Sequence, residues 1–278
     1  MRKVLICSAA MLLGAWILAV GAMYMFQRTL VYFPDNRSMH ANDPFEVNAS
    51  DIVKGVAVPA EDGLRLYHLF SPAMKRGFPV IIHFHGNHGP ASNRLYKVRP
   101  YAEAGYGLLM VEYRGYGPNP GSPSEEGFYR DARGALNWLE QQSINPDRMV
   151  LYGESLGSGV AVRMAWDLAK AGTPVRGVVL EAPFTALPDI GALRYPWVPV
   201  QWLARDRFDN LSRIDEIGAP LLVMHGTADA VVPFAQGKAL YEKARDPKNA
   251  LFAEGAGHNN LYDFGAADAV LDFLEGLP

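Results

Sequence analysis

Six short runs of nearly unbroken apolar residues constrain this chain more than any other feature: Pro79–Phe84, Gly107–Tyr113, Met149–Tyr152, Val175–Leu180, Pro220–Met224 and Ala250–Ala253. A strand with one wet face alternates apolar and polar side chains. A strand without alternation has both faces covered, as in a parallel sheet layered with helices. Segments with helical spacing separate the runs, at about Asn93–Ala104, Glu125–Gln142, Leu156–Lys170, Pro233–Ala244 and Asn259–Leu277. Asn145-Pro146-Asp147-Arg148 and Ala171-Gly172-Thr173-Pro174 are turn signals between them. Two more polar strands, around Ile52–Val58 and Leu64–Phe70, come first, joined at Glu61-Asp62-Gly63. The pattern predicts a doubly wound α/β sheet. A length of 278 residues and a hydrophobic share of 49% suit one such domain.

The amino terminus stands apart from this rhythm. Val4 to Phe26 carries no charge, and Arg2 and Lys3 precede it. A signal peptide has an apolar core of roughly 7–15 residues, whereas a spanning helix needs about 20. The run is therefore read as an uncleaved anchor over residues 1–28, followed by a body over residues 29–278. Cleavage after Ala22, with Val20 two residues before it, is the alternative. Arg2, Lys3 and the terminal amine outnumber Arg28, which places the amino terminus in the cytoplasm and the body outside, periplasmic in a bacterium. A net charge of −3 with interspersed signs excludes a nucleic-acid footprint. Cys7 is the one cysteine, so no intramolecular disulfide or cysteine-based zinc spacing exists.

Chemistry concentrates at Gly153-Glu154-Ser155-Leu156-Gly157. An apolar strand precedes it and a helix rich in small residues follows. The glycines permit a sharp turn that presents Ser155 at the sheet edge. Gly159 is expected to let the helix approach the sheet. A serine hydroxyl needs a base, and the base a third group to orient it. Asp229 follows the run at 220–224 and is the expected acid, with a helix-capping role as the rival reading and Glu181 as the fallback. His258, in the glycine-rich loop after the last run, is the expected base. The oxyanion donors are assigned to the backbone N–H groups of Leu156 and Asn87, the latter in His83-Phe84-His85-Gly86-Asn87-His88-Gly89. Histidines 83 and 85 share a strand face and could hold a metal, but no carboxylate or cysteine accompanies them. Buried, hydrogen-bonded packing is the reading adopted, and no metal or organic cofactor is expected.

Between the strands at 175–180 and 220–224 the segment 184–212 is irregular and aromatic, with Tyr195, Trp197, Trp202 and Phe208. It is read as a lid over the carboxyl edge of the sheet, where ligands bind in such folds. Arg205-Asp206-Arg207-Phe208-Asp209 within it is read as an intralid ion-pair cluster rather than a headgroup site. Glu112-Tyr113-Arg114-Gly115-Tyr116-Gly117 is read as shaping a loop near the active edge.

The Ser155 turn, the Asp229 and His258 loops and His85-Gly86-Asn87 together resemble the α/β-hydrolase superfamily. Gln27–Pro34 after an anchor, Tyr113–Gly117 with Pro123-Ser124-Glu125, Glu181–Thr185 and Tyr195–Asp209 resemble its membrane-anchored abhydrolase-domain branch. The resemblance implies an eight-stranded, mostly parallel sheet with helices on both faces and a small lid insertion. It also implies a triad carried onto Ser155, Asp229 and His258, acting on lipid esters or acyl thioesters. Where this branch more often has a small residue the chain has His88, expected to narrow the acyl site; Tyr195 and Trp197 are the expected lid contacts. A small-molecule or lipid-like acyl substrate and the membrane are thus the expected partners. A serine peptidase on the same triad is the alternative chemistry, and a non-catalytic, membrane-tethered binding module the alternative class.

Overall fold

The computed structural model describes residues 2–34, 52–75 and 77–278. Residues 35–51, inside the expected 29–278 body, lie outside the described residues, as do Met1 and the Arg2 side chain used in the charge argument. The described residues form an eight-stranded sheet, β1 (Lys54–Pro59), β2 (Arg65–Ser71), β3 (Val80–Phe84), β4 (Gly107–Val111), β5 (Met149–Glu154), β6 (Gly177–Glu181), β7 (Leu221–Gly226) and β8 (Lys248–Ala253). The spatial order is β1-β2-β4-β3-β5-β6-β7-β8; β2 runs antiparallel to both its neighbours and every other pairing is parallel.

Alternate residues of the central strands feed two separate cores, which is why the sequence runs lack alternation. Ile82, Phe84, Leu109, Leu151, Leu180 and Val223 pack on one face with α3 (Glu125–Gln141) and α4 (Leu156–Lys170). Ile81, Met110, Val150, Val179 and Met224 pack on the other with α2 (Leu95–Ala104) and α8 (Ala266–Glu275). Each such side chain, fully buried, contributes about 1.5–3 kcal/mol. Ser124 caps α3 by accepting the Gly127 N–H at 3.1 Å, with Glu125 and Glu126 at the positive end of the helix. The expected helix over 259–277 is broken. Gly265, at φ 85°, separates a 3-10 turn, Leu261–Phe264, from α8. The helix expected from Asn93 likewise opens as a 3-10 turn, Ala91–Arg94, before α2.

Two further elements complete the frame around the carboxyl edge. The segment between β6 and β7 carries two short helices, α5 (Leu187–Arg194) and α6 (Val200–Leu203). The amino-terminal helix α1 (Arg2–Val31) includes Lys3–Val31, which among the described residues is the one stretch long and apolar enough to cross a membrane. α7 (Phe234–Lys243) follows β7.

His68 of β2 and His83 of β3 are sealed into the sheet. Burial pushes His68 down to about 4 and His83 to about 3, so both are neutral in the folded protein at neutral pH. The unfolded chain protonates them near 6.5, and the native state does so only at lower pH. Their contribution is therefore present above about 6.5 and is lost as acid is added, at about 1.4 kcal/mol per pH unit for each. The unfolding midpoint of detergent-solubilised protein should fall between pH 7 and pH 5, and His83→Leu should make that decline shallower. An unaltered slope would discard this account.

Candidate active site

β5 ends in a turn whose backbone few sequences tolerate. Ser155 sits at φ 50°, ψ −114°, a conformation that costs a non-glycine residue about 1–3 kcal/mol. The flanking glycines hold it there by closeness. A Cβ on Gly153 would come within 2.6 Å of the Gly157 oxygen, and one on Gly157 would fall on the Phe84 carbonyl at the end of β3. The Ser155 N–H donates to the Glu181 carbonyl at 2.8 Å. Gly159 does not serve helix–sheet approach as expected. It faces Phe208 from the β6–β7 segment, and a Cβ there would stand 2.6 Å from the ring, which occupies the space beside α4.

The structure brings Ser155, His258 and Asp229 into one hydrogen-bonded line. His258 Nε2 stands 3.1 Å from Ser155 Oγ, and His258 Nδ1 stands 2.7 Å from Asp229 Oδ2. Asp229 is not the cap of α7, whose N-cap is Pro233. Its Oδ1 instead accepts the N–H groups of Val231 and Val232 at 2.8 and 2.9 Å, closing a local turn that aims Oδ2 at the imidazole. Burial opposes ionisation of Asp229. Hydrogen bonds from His225 and His258 outweigh it, and the carboxyl is held well below the usual carboxylate range. A carboxylate only accepts, so Nδ1 of His258 carries the hydrogen and Nε2 keeps a lone pair for the serine proton. His225 is a member of this cluster that sequence reasoning missed; it sits 3.3 Å from Asp229 Oδ2 and is marked only by its place at the end of an apolar strand.

Leu156 opens α4, so its N–H has no acceptor within the helix. Among the described residues no hydrogen bond uses the Leu156 or the Asn87 N–H. The carbonyl and the side-chain NH2 of Asn87 are engaged. Its carbonyl accepts Phe33 N–H at 2.9 Å and the Tyr116 hydroxyl at 2.8 Å, and its side-chain amide donates to the Val31 carbonyl at 2.9 Å. The 112–117 loop shapes this region, since the Tyr113 hydroxyl also donates to the His85 carbonyl at 3.1 Å.

His85 is buried and bonded, with Nδ1 2.8 Å from the Gly86 carbonyl and Nε2 3.1 Å from Glu112. His83 departs from expectation. It is buried without a hydrogen bond, packed on the Tyr152 ring, with Glu154 3.8 Å away. His88 is exposed, turned outward where the chain pairs with Phe33, and does not line the cavity beside Ser155. Glu181, the fallback acid, is occupied elsewhere: it lies 2.7 Å from Lys97 Nζ and accepts the Tyr152 hydroxyl at 2.6 Å. Lys97 also reaches Glu154 at 3.2 Å, and Arg94 reaches it at 3.3 Å. Burial opposes charge on Glu154 but Lys97 and Arg94 keep its carboxyl low, whereas burial pushes Glu181 up.

A cavity of about 500 Å³ opens at Ser155. Asn87 and Leu156 stand at its base, and Leu187, Ile190, Tyr195 and Val198 of the β6–β7 segment form one side. Val20, Met23 and Tyr24 of α1 form the other, which sequence reasoning did not anticipate. Trp197 lies outside the lining; it is half exposed, and its carbonyl accepts the Trp16 indole N–H at 3.0 Å. Residues 205–209 do not form an intralid cluster. Asp206 takes a two-pronged pair from Arg28 of α1 at 2.9 and 3.0 Å, and the Arg205 guanidinium lies 4.4 Å from the Tyr24 ring centre.

The prolyl oligopeptidase family model matches residues 124–269. An uncharacterized protein of Mycobacterium tuberculosis is 35% identical, over 91% of this chain and 89% of its own length. The lysophosphatidylserine lipase ABHD12 of Danio rerio is 34% identical over 65% of this chain, which spans about half of that protein, 51%. A Pyrococcus furiosus esterase superposes with a TM-score of 0.66 at 19% identity, over 83% of this chain and 94% of its own, a likeness of fold.

Lys97 is the cation shared by the buried carboxylates beside Ser155. Lys97→Met should lower stability by about 3–5 kcal/mol, because Glu154 and Glu181 lose their common partner. Adding Glu181→Gln should recover part of the loss, read as the midpoint of thermal unfolding; a neutral Lys97→Met would refute the network's importance.

Proposed function

The chain belongs to the α/β-hydrolase superfamily, in its abhydrolase-domain branch, and on that premise we propose that it hydrolyses carboxylic esters or acyl thioesters of lipid-like molecules. The observation that carries the reading is the line from Asp229 through His258 to Ser155, ending at a largely apolar cavity. The names of the Danio rerio lipase and the Pyrococcus furiosus esterase support the same bond type.

In the first step His258 Nε2 takes the Ser155 proton as Oγ bonds to the acyl carbon. The N–H groups of Leu156 and Asn87 receive the charge that develops on the carbonyl oxygen. Asp229 holds the imidazolium that forms and keeps its tautomer. When the tetrahedral intermediate collapses, the bond to the leaving alcohol or thiol breaks and His258 delivers the proton to it. Water then gives a proton to His258 as its oxygen bonds to the acyl carbon; the bond from that carbon to Oγ breaks, His258 returns the proton to Oγ, and the acid departs. Asp229, its carboxyl held low by the hydrogen bonds from His225 and His258, stays ionised throughout the cycle.

The segment 184–212 acts as a lid in this reading, with Tyr195 against the acyl group. α1 spans the membrane with its amino terminus in the cytoplasm and the hydrolase body on the outer side.

Ser155→Ala should lower ester turnover by at least about 10³-fold and abolish labelling by a fluorophosphonate probe. Asp229→Asn should reduce turnover about 10⁴-fold with the fold intact. The panel runs p-nitrophenyl esters, acyl thioesters and peptide amides side by side. Full activity of Ser155→Ala would overturn the nucleophile assignment. Turnover of peptides alone would move the protein to the peptidase reading.

A further inference from the structure

Helix α1 is built into the site rather than merely attached to it. Trp16, Val20, Met23 and Gln27 follow one another at intervals of four, three and four, and Tyr24 lies beside Met23, which places them on one face. That face meets the β6–β7 segment at Trp16, Tyr24 and Gln27. Trp16 donates to the Trp197 carbonyl, Tyr24 underlies Arg205, and Gln27 accepts the Arg205 N–H at 2.8 Å. The opposite face shows Leu18, Met25 and Phe26 bare, at 75%, 66% and 64% exposure. The cavity runs along the inner face from Val31, beside the Asn87 loop, to Val20, roughly 16 Å at 1.5 Å per residue.

We propose that α1 supplies one wall of the acyl-binding site, so that a substrate's acyl chain lies along Val20 and Met23 with its carbonyl at Ser155 and enters from the bilayer. This rests on the hydrolase reading above. The carbonyl end is fixed by where the helix stops: Val31 is bonded to Asn87, whose N–H is the second oxyanion donor. The tail end points toward the membrane-embedded part of the helix. The same hydrocarbon that surrounds Leu18 and Met25 then borders the cavity, and the chain reaches the serine without passing through water. Trp202, at 89% exposure, and Leu193, at 63%, put further apolar surface on the β6–β7 segment that flanks this route.

Distance along the helix becomes chain length in this arrangement. Full-length protein reconstituted in phosphatidylcholine vesicles is assayed with fatty-acyl p-nitrophenyl esters from butyrate to palmitate, with fluorophosphonate labelling of Ser155 in each variant. Val20→Trp should lower the ratio of long-chain to butyrate kcat/KM by about tenfold or more for the longest esters. Met23→Trp, nearer the serine, should move the cut-off to shorter chains. Met25→Trp, on the outer face, should leave the wild-type profile. Met23→Ala, which enlarges the same wall without bulk to accommodate, should shift the preference toward longer chains and covers the case in which a tryptophan variant fails to fold. An unchanged profile in labelled Val20, Met23→Trp and Met23→Ala variants would overturn the wall alone, as would an equal change in Met25→Trp. Absence of both labelling and ester turnover in the wild-type protein would overturn the hydrolase reading and the wall with it.

Discussion

The contact between Gly157 and the Phe84 carbonyl is the constraint on which the site's geometry hangs. Without that approach, α4 could not start where it does, and Ser155 could relax from its positive φ. β5 and β3 are neighbours in the sheet, so the end of one strand buttresses the turn that leaves the other. The same junction brings the loop after β3 against the first turn of α4, and Gly86 sits where a Cβ would lie 3.6 Å from Ser155 Cβ. Asn87 and Leu156 thereby come to line the cavity beside Ser155 by main-chain packing, with little dependence on side-chain choice.

Charge is arranged around this turn in two separated sets. On the side of β7 and β8, Asp229 is ionised and aims at His258. Behind the strand ends, Glu154 and Glu181 are neutralised by Lys97 and Arg94 and carry no hydrogen bond to the imidazole. The separation matters because an uncompensated carboxylate near Ser155 would disfavour a developing oxyanion. Buried Lys97 therefore has an electrostatic role that its position on an otherwise packed helix face disguises.

Much of this was legible in the residues, and what was not has physical causes. Continuous apolar runs reveal strands buried on both faces, and the glycines at 153 and 157 mark a turn too tight for side chains. The order of Asp229 and His258 after Ser155 was enough to find three groups that the structure places in contact. Gly265 was a readable break that periodicity alone smoothed over. The β6–β7 segment was read as self-contained because Arg205 to Asp209 has alternating charge, yet Arg28 lies far away in sequence and nothing local announces the pair. The inner face of α1 was invisible for another reason. Lipid and an apolar cavity ask for the same side chains, so the helix shows no hydrophobic contrast between its two sides, and only Tyr24, Gln27 and Arg28 betray the one that faces protein.

The main-chain bonds by which Phe33 donates to Asn87 and accepts from Gly89 have a consequence for how such a protein can change. They tie the stretch just after the helix to the loop that borders Ser155, and they use atoms every residue possesses, so drift in side chains cannot dissolve them. Trimming the helix to make a soluble form would bare Leu187, Ile190 and Val198 to solvent, an invitation to aggregation, and would leave the loop partner without its lead-in. Helix and body thus pack as one unit. Exchange of the amino-terminal helix for another apolar helix would here be a rearrangement of the interior.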